Sequence, residues 1–217
     1  MFRRFGILLN LIFLNNNIFM PITKKVTRGF GFLENFLAVK RAKISDQNIP
    51  DNLRNGIILD IGCGNYPYFL NKINFSKKIG IDQHVNQSEG NNIKLIEQNL
   101  AENTNLPFDD NSFNVVTALA FLEHVRADKA VEIIKEIYRV LGPNGLFIAT
   151  TPHCNLDLLL RFFSKIKLVS AVEIKEHVQL YNKTEILKQL KYAGFKEDNI
   201  KIEKFELGAN IFAIAGK

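Results

Sequence analysis

The sequence contains little cysteine. Its only two cysteines among 217 residues, Cys63 and Cys154, lie far apart in the chain. This spacing provides neither the ligand set of a metal site nor the framework of a disulfide-stabilised secreted protein. We therefore predict a cytoplasmic protein, kept in a reducing compartment, with no metal site.

An apolar run long enough to cross a membrane is also missing, as are internal repeats. The apolar segment at residues 5–14 follows Arg3 and Arg4, but it is shorter than the roughly 20 residues that a spanning helix needs. Three explanations stay open. The first is that residues 1–19 are not native and that Met20 is the true start. The second is that the segment anchors the chain at a membrane surface, and the third is that it is a targeting signal.

Excess positive charge is missing from most of the chain. Residues 1–55 carry nine Lys and Arg against three acids, whereas residues 56–217 carry 19 charges of each sign. A nucleic-acid-binding protein needs a basic stripe across its fold, so we expect no nucleic-acid partner. We interpret residues 1–55 as a basic and apolar N-terminal arm, which is either solvated or in peripheral contact with an anionic membrane.

Residues 56–217 read as one domain in which apolar strands alternate with helices. That alternation predicts an α/β fold with a parallel sheet covered on both faces. The last two strands leave no room for a helix between them and must form an antiparallel hairpin. Residues 152–183 are long enough to cap a site. The predicted strands are 57–61, 78–82, 93–98, 113–120, 146–151, 199–206 and 210–215, and the predicted helices are 29–44, one from about Pro67, 128–141, 156–169 and 184–193, the last capped by Thr184 and stopped by Gly194.

The first strand runs into a glycine turn that lacks one glycine. The segment "ILDIGCGNYPYF" contains Gly62 and Gly64, but Pro67 stands where dinucleotide-binding turns have a third glycine. That glycine lets the helix pack close beside a pyrophosphate, and proline hinders this approach. Asp82, which lies 18 residues after Gly64, suits a carboxylate that binds ribose hydroxyls. The turn therefore favours a nucleoside with free ribose hydroxyls and no pyrophosphate.

Polar residues also follow the fourth predicted strand, and ligands of open α/β sheets bind at the carboxyl ends of strands. Histidine titrates near neutral pH, which makes His124 the candidate general base; otherwise it shapes the pocket at the start of a helix. Glu123 assists it or bonds to the backbone. His153 and His177, in or beside the cap, suit structural or solvated roles better than acceptor contacts.

Five segments, in order, resemble class I S-adenosylmethionine-dependent methyltransferases of the methyltransferase type 11 kind. They are "LDIGCGNYPYF", "GID", "LPFDDNSFNVVTAL", "EIYRVLGPNGLFIATTP" and "LKYAGF". The resemblance covers about residues 55–217. It implies a Rossmann-like, doubly wound, seven-stranded sheet, mostly parallel with an antiparallel C-terminal hairpin, and S-adenosyl-L-methionine as the cofactor. It assigns donor binding to six residues, namely Asp60, Gly62, Gly64, Asp82, Asn99 and Leu100.

The resemblance also implies what these residues do. Gly62 and Gly64 pass beneath the methionine and ribose parts of the donor. Asp82 binds the ribose diol, and Asp60 orients the turn or meets the donor's amino group. Residues 99–100 meet adenine, although the family often has Asp at the first of the two positions.

A metal is not implied, even though "LEH" at residues 122–124 resembles ubiquinone-pathway O-methyltransferases. In those enzymes an upstream glutamate helps to build a metal site. Ala120 stands at that position here, so the ligand set is incomplete.

The acceptor is suggested by the C-terminal part of the chain. The segment "EHVQLYNKTEILKQLKYAGF", followed by "FELGANIFAIAGK", resembles methyltransferases of cell-surface polysaccharide and small-molecule pathways. This resemblance implies methyl transfer to an oxygen of a small-molecule or glycan acceptor. Two alternatives stay open: a non-catalytic relative that only binds the nucleoside, and a nicotinamide-dependent reductase, against which Pro67 counts.

Overall fold

The computed structural model describes residues 32–86, 88–90, 92–153 and 181–217. The first 31 residues of the N-terminal arm therefore lie outside the described residues. So do the predicted helix at 156–169, Cys154, His177 and most of the predicted cap at 152–183.

The described residues form one eight-stranded sheet in the order β3-β4-β2-β1-β5-β6-β8-β7. The strands are β1 (Ile57–Ile61), β2 (Lys77–Asp82), β3 (Ser88–Gly90), β4 (Ile93–Glu97), β5 (Phe113–Leu119), β6 (Leu141–Pro152), β7 (Ile200–Phe205) and β8 (Asn210–Gly216). Strands β4, β2, β1, β5 and β6 run parallel, and β8 lies antiparallel between β6 and β7. The predicted α/β fold class, with seven strands and an antiparallel C-terminal hairpin, is confirmed. The additional strand, β3, is a three-residue edge strand antiparallel to β4 that the sequence did not indicate.

Helices cover both faces of this sheet. They are α1 (Phe32–Gln47), α2 (Tyr68–Lys72), α3 (Ala127–Val140) and α4 (Lys183–Ala193). Alternate residues of β1 enter two different cores: Leu59 packs with the α3 and α4 side, and Ile58 packs with the α1 and α2 side. Strands buried on both faces are typical of parallel sheets. None of the described helices is both long and apolar enough to span a bilayer.

Helix α3 fastens the loop that precedes β5. The guanidinium of Arg139 donates hydrogen bonds to the carbonyl oxygens of Leu106 and Phe108, at 3.1 and 2.8 Å, and to Asp110 Oδ1 at 2.8 Å. Glu136 accepts from the Leu106 N–H at 2.9 Å. The "LPFDDNSF" segment is thus held to the helix by polar contacts as well as by apolar packing, and its role is structural.

The cap of α4 differs from the prediction. Asn182, not Thr184, is the N-cap: its Oδ1 accepts from the Glu185 N–H, and Glu185 Oε2 accepts from the Asn182 N–H, each at 2.9 Å. This reciprocal capping box satisfies two backbone donors at once, which a hydroxyl at residue 184 would not do. The predicted stop at Gly194 is confirmed.

Helix α1 is where the pattern at 29–44 predicts a helix. Phe36 and Leu37, two members of the predicted apolar stripe, are half-buried. Among residues 36–47, whose side chains the structure describes, Ala42 and Ser45 are buried. Ala42 packs in one core with Ile58 of β1, so a small side chain in the C-terminal half contributes to the contact with the sheet.

Candidate active site

The turn between β1 and α2 lies over the end of β2. The N–H groups of Gly62 and Cys63 both donate to the Ile81 carbonyl oxygen, at 2.8 and 3.2 Å. Gly62 and Gly64 have φ angles of 74° and 71°, a region that side chains disfavour. A Cβ atom on Gly62 would lie 2.6 Å from Phe121 Cδ2. Both conformation and space therefore require glycine at residue 62.

Asp82 accepts hydrogen bonds both from this turn and from the loop after β2. Its side chain is buried at the last residue of β2. Oδ2 accepts from the Gly64 N–H at 3.0 Å, and Oδ1 accepts from the His84 N–H at 2.9 Å. These two bonds fix the direction of the carboxylate, whose oxygens are acceptors of the kind that ribose hydroxyls require. The structure thus joins Asp82 to the glycine turn, as the sequence spacing suggests.

Asp60 lies inside the sheet on β1. The Thr117 hydroxyl donates to Asp60 Oδ1 at 2.6 Å. Burial raises the pKa of Asp60 to about 7; the hydrogen bond from Thr117 opposes this rise and the charge of Asp82 adds to it. Near neutral pH the carboxyl is therefore close to half ionised, and a cation beside it would favour the ionised form.

We expect Asp60 to make the unfolding free energy fall as pH rises from about 4 to 7. In that window the unfolded chain has lost the Asp60 proton while the folded chain still holds it, because the pKa of Asp60 rises from 3.8 to about 7 on folding. The slope contributed by one proton is at most about 1.4 kcal/mol per pH unit. Denaturant unfolding of the wild type and of Asp60→Asn between pH 5 and 8 measures it.

The Asp60→Asn variant should show a flatter pH dependence than the wild type. Asp109→Asn, which changes an exposed carboxyl, is the control and should follow the wild-type curve. Parallel curves for the wild type and Asp60→Asn would contradict the assignment.

Asn99 and Leu100 form the turn that follows β4. Asn99 Oδ1 accepts from the Ala101 N–H at 3.1 Å, and its Nδ2 donates to Glu102 Oε1 at 2.8 Å. Leu100 is buried in the core. The Asn99 side chain is thus already engaged in the turn, and its predicted contact with adenine stays a prediction, as does that of Leu100.

The segment after β5 changes direction sharply at Ala120. This residue has a φ angle of 55°, and its N–H donates to the Thr150 carbonyl oxygen at 2.9 Å and to Thr150 Oγ1 at 3.1 Å. A non-glycine residue in this conformation is strained, and such strain is common at functional sites. Phe121 follows, and its ring lies beside Gly62.

Glu123 and His124 stand in the short 3₁₀ turn, Leu122–His124, that comes next. Glu123 is 2% exposed, and its Oε2 has no hydrogen-bond partner among the residues that the structure describes. His124 is half-buried. Because β5 lies beside β1, both residues follow the strand next to the glycine turn.

The ends of β6 and β8 hold His153, together with Glu206 and Asn210, which the sequence did not single out. Pro152 pairs with Asn210 in the sheet, and the His153 N–H donates to the Ala209 carbonyl oxygen at 2.9 Å. Burial lowers the pKa of His153, and Lys204 and Lys183 lower it further. The β7–β8 turn therefore lies at the same edge of the sheet as the glycine turn. Glu206 and Asn210 stand in or beside that turn, and the segment "ELGAN" carries no motif that could have indicated them.

The residues at this edge suit a cationic nucleoside. The glycine turn leaves space, since the nearest atom to a Cβ on Gly64 would be the Tyr66 carbonyl oxygen at 4.0 Å. The buried carboxyls of Asp60 and Asp82 flank the turn on neighbouring strands. A Rossmann-like sheet with an antiparallel last strand and this turn defines the class of S-adenosylmethionine-dependent methyltransferases.

A family model confirms that class. The model described as a methyltransferase domain matches residues 31–199, and the chain belongs to this family. Membership implies S-adenosyl-L-methionine as the cofactor, as the resemblance of the sequence motifs predicted.

Relatives with curated sequences match only part of the chain. An uncharacterized protein of Methanocaldococcus jannaschii is 30% identical over 147 residues, which cover 67% of this chain and 57% of that protein. The sterol 4-C-methyltransferase of Caenorhabditis elegans is 33% identical over 100 residues, covering 42% of this chain and 29% of that protein. The chain therefore matches well under two thirds of the length of either relative.

A solved structure shares the fold. A SAM-dependent methyltransferase from Archaeoglobus fulgidus superposes with a TM-score of 0.61 at 17% identity, over 83% of this chain and 94% of that one. At this identity the likeness concerns the fold alone.

Proposed function

We propose that the protein is a methyltransferase that transfers a methyl group from S-adenosyl-L-methionine to an oxygen atom of a small-molecule or cell-surface glycan acceptor. The observation that supports it most is the bond between the Gly64 N–H and Asp82 Oδ2, which joins the glycine turn to a buried carboxylate at the end of the next strand. The C-terminal resemblance supports the choice of acceptor, and so does the equal number of charges in residues 56–217.

The donor supplies an electrophilic methyl group on a sulfonium. In our proposal Asp82 binds the ribose hydroxyls through its carboxylate oxygens, which the Gly64 and His84 N–H groups hold in place. Gly62 gives the methionine part room against Phe121. Asp60, buried beneath the turn, balances the positive charge of the donor. The turn after β4, with Asn99 and Leu100, is proposed to meet adenine through its backbone.

His124 is proposed to take the proton from the acceptor hydroxyl. It follows β5, the strand beside the glycine turn, and it is half-buried. Glu123 is buried with an unpartnered oxygen, so we propose that it supports the turn that carries His124. Methyl transfer to oxygen needs such a base, because the attacking hydroxyl must lose its proton.

The test of the function uses labelled S-adenosylmethionine and the full-length protein. Cell extract is separated into protein, nucleic acid, lipid-linked glycan and small molecules, and each fraction is incubated with the enzyme. Label in the glycan or small-molecule fraction is expected. Label confined to protein or nucleic acid would overturn the proposed acceptor. Donor binding without any transfer would favour the non-catalytic alternative, and binding of a nicotinamide dinucleotide would favour the reductase.

Replacing His124 with glutamine should lower kcat about 100-fold, the lower end of what a general base contributes. The affinity for S-adenosylmethionine should change less than twofold, since His124 is proposed to meet the acceptor and not the donor. Initial rates with the labelled fraction and calorimetric titration with the donor measure the two effects. Lys201→Gln, which changes an exposed side chain of β7, serves as the control, and wild-type kcat in His124→Gln would remove the residue as the base.

The N-terminal arm, residues 1–55, stays a candidate for peripheral membrane contact. Of its described part, α1 carries Lys40, Arg41 and Lys43 within about one helical turn, and such clusters attract anionic lipid. We propose this contact as secondary to catalysis, with a cytoplasmic location and no nucleic-acid partner.

A further inference from the structure

We propose that Glu206, with Asn210, recognises a sugar hydroxyl of the acceptor. This inference rests on the proposed methyl transfer to a glycan or small molecule and names a residue pair that selects the acceptor. Three observations support it: where the pair lies, how its atoms are bonded, and what the backbone does at Glu206.

The pair lies on the acceptor side of the sheet edge. Asn210 pairs with Pro152 at the carboxyl end of β6, and β6 is the neighbour of β5, which leads to His124. Strands in a sheet lie about 4.8 Å apart, so the ends of β5 and β8 are about 10 Å apart. That distance is similar to the length of one or two sugar rings, and the glycine turn lies on the opposite side of β5.

One oxygen of Glu206 is paired and the other is not. Oε2 accepts from the Asn210 Nδ2 group, and Asn210 is itself buried. Oε1 is buried without a hydrogen-bond partner among the described residues. A buried acceptor without a donor is unfavourable, so this oxygen is stabilised when a bound molecule donates a hydrogen bond to it. A carboxylate beside an amide is suited to a hydroxyl, since together they offer both an acceptor and a donor.

The backbone of Glu206 is strained. Its φ angle is 52°, a conformation that is unfavourable for a non-glycine residue. Glycine would relieve that cost, and the chain does use glycine two residues later, at Gly208 with a φ angle of 87°. The glutamate side chain is therefore retained against the preference of the backbone, which points to a role for the side chain itself.

The charges around Glu206 favour an acceptor molecule that donates its hydrogen bond from a neutral hydroxyl group and not from an ammonium group. Burial raises the pKa of Glu206, while Arg41 and Lys40 of α1 act in the opposite direction. These two cations are close enough to affect the carboxyl, and a cationic acceptor would be repelled by them. A hydroxyl carries no such penalty. Phe205, half-buried and next to Glu206 in the chain, adds an apolar surface near the pair.

The first experiment needs no methyl transfer. Full-length protein is titrated with glucose, galactose, mannose and rhamnose, each in the millimolar range, while the side-chain amide resonances of Asn210 are followed by NMR. At least one sugar should shift the Asn210 amide, and the shift should be lost in Glu206→Gln. No shift with any of the four sugars, or an undiminished shift in Glu206→Gln, would overturn the proposal.

The second experiment separates recognition from folding. Glu206→Gly removes the side chain and relieves the backbone, so its unfolding free energy should equal or exceed that of the wild type. In the methyl-transfer assay, Glu206→Gly and Glu206→Gln should both raise KM for the acceptor at least tenfold, with unchanged affinity for S-adenosylmethionine. Glu203→Gln changes an exposed, ion-paired carboxyl on β7 and should keep the wild-type KM.

The outcomes distinguish this proposal from the one on which it rests. A wild type that transfers no methyl group while Asn210 still responds to sugar would refute the proposed reaction and keep the sugar site. Normal transfer with an unchanged KM in Glu206→Gly would refute the sugar site and keep the reaction. A large loss of stability in Glu206→Gly would show that the side chain is structural and would also refute the site.

Discussion

Replacing Asp82 with alanine should weaken S-adenosylmethionine binding at least 100-fold. In our proposal the carboxylate accepts two ribose hydroxyls, and hydrogen bonds to a charged group contribute about 1.5–3 kcal/mol each. The carboxylate also accepts hydrogen bonds from the Gly64 and His84 N–H groups. Its removal therefore loosens the glycine turn, which must hold its conformation for S-adenosylmethionine to bind. Both effects lower affinity, and calorimetric titration of wild type and variant measures their sum.

Two further variants make the result specific. Asp82→Asn keeps one acceptor oxygen and should lose less affinity than Asp82→Ala. Asp128→Asn changes an exposed carboxyl of α3 that pairs with Arg126, the residue before this helix, and should bind the donor like the wild type. If Asp82→Ala unfolds at the wild-type denaturant concentration and still binds the donor with wild-type affinity, the assignment of the donor site is wrong.

The parts of the fold that could be predicted are those set by local pattern. The apolar run of β1, the glycine turn and the spacing to Asp82 all lie within one short stretch of the sequence. The structure places Asp82 against Gly64. Ile134 and Ile137, which the helical periodicity of 128–141 places on one apolar face, are both buried on α3. Such features need no knowledge of distant segments, because each residue's neighbours along the chain determine its role.

The parts that could not be predicted depend on contacts between distant segments. Phe121 limits residue 62 to glycine only because β5 lies beside β1. Asp60 and Thr117 bond across 57 residues of sequence. Ala42 of α1, which lies outside the predicted apolar stripe, is buried in one core with Ile58 of β1. Glu206 looks like any charged residue of a surface turn until its strand partner is known.

The contact between Phe121 and the glycine turn gives the second large effect. Gly62→Ala should lower the unfolding free energy by about 2–5 kcal/mol, from two separate causes. An alanine at a φ angle of 74° is disfavoured by about 1–2 kcal/mol, and its Cβ would lie 2.6 Å from Phe121 Cδ2, an overlap of the kind that costs about 1–3 kcal/mol. Donor binding should fall as well, since the turn must shift to accommodate the methyl group.

Gly64→Ala is the matched control, because it shares the backbone cost but not the overlap. Residue 64 has a φ angle of 71°, and the nearest atom to its Cβ would be 4.0 Å away. We therefore expect Gly64→Ala to lose only about 1–2 kcal/mol of unfolding free energy, the backbone part alone. The difference between the two alanine variants, measured by urea unfolding, is the contribution of Phe121.

A double-mutant cycle with Phe121→Ala isolates that contribution. In the Phe121→Ala background the ring is gone and only the Cβ of residue 121, at 3.1 Å, still contacts the added methyl group. Gly62→Ala should then cost only slightly more than Gly64→Ala, and the coupling energy should fall within the roughly 0.5–3 kcal/mol that contacting residues show. Gly64→Ala should cost the same in both backgrounds. Equal losses for the two alanine variants in the wild-type background, with no coupling to Phe121, would show that the backbone angle alone requires glycine at residue 62 and that the ring of Phe121 does not shape the turn.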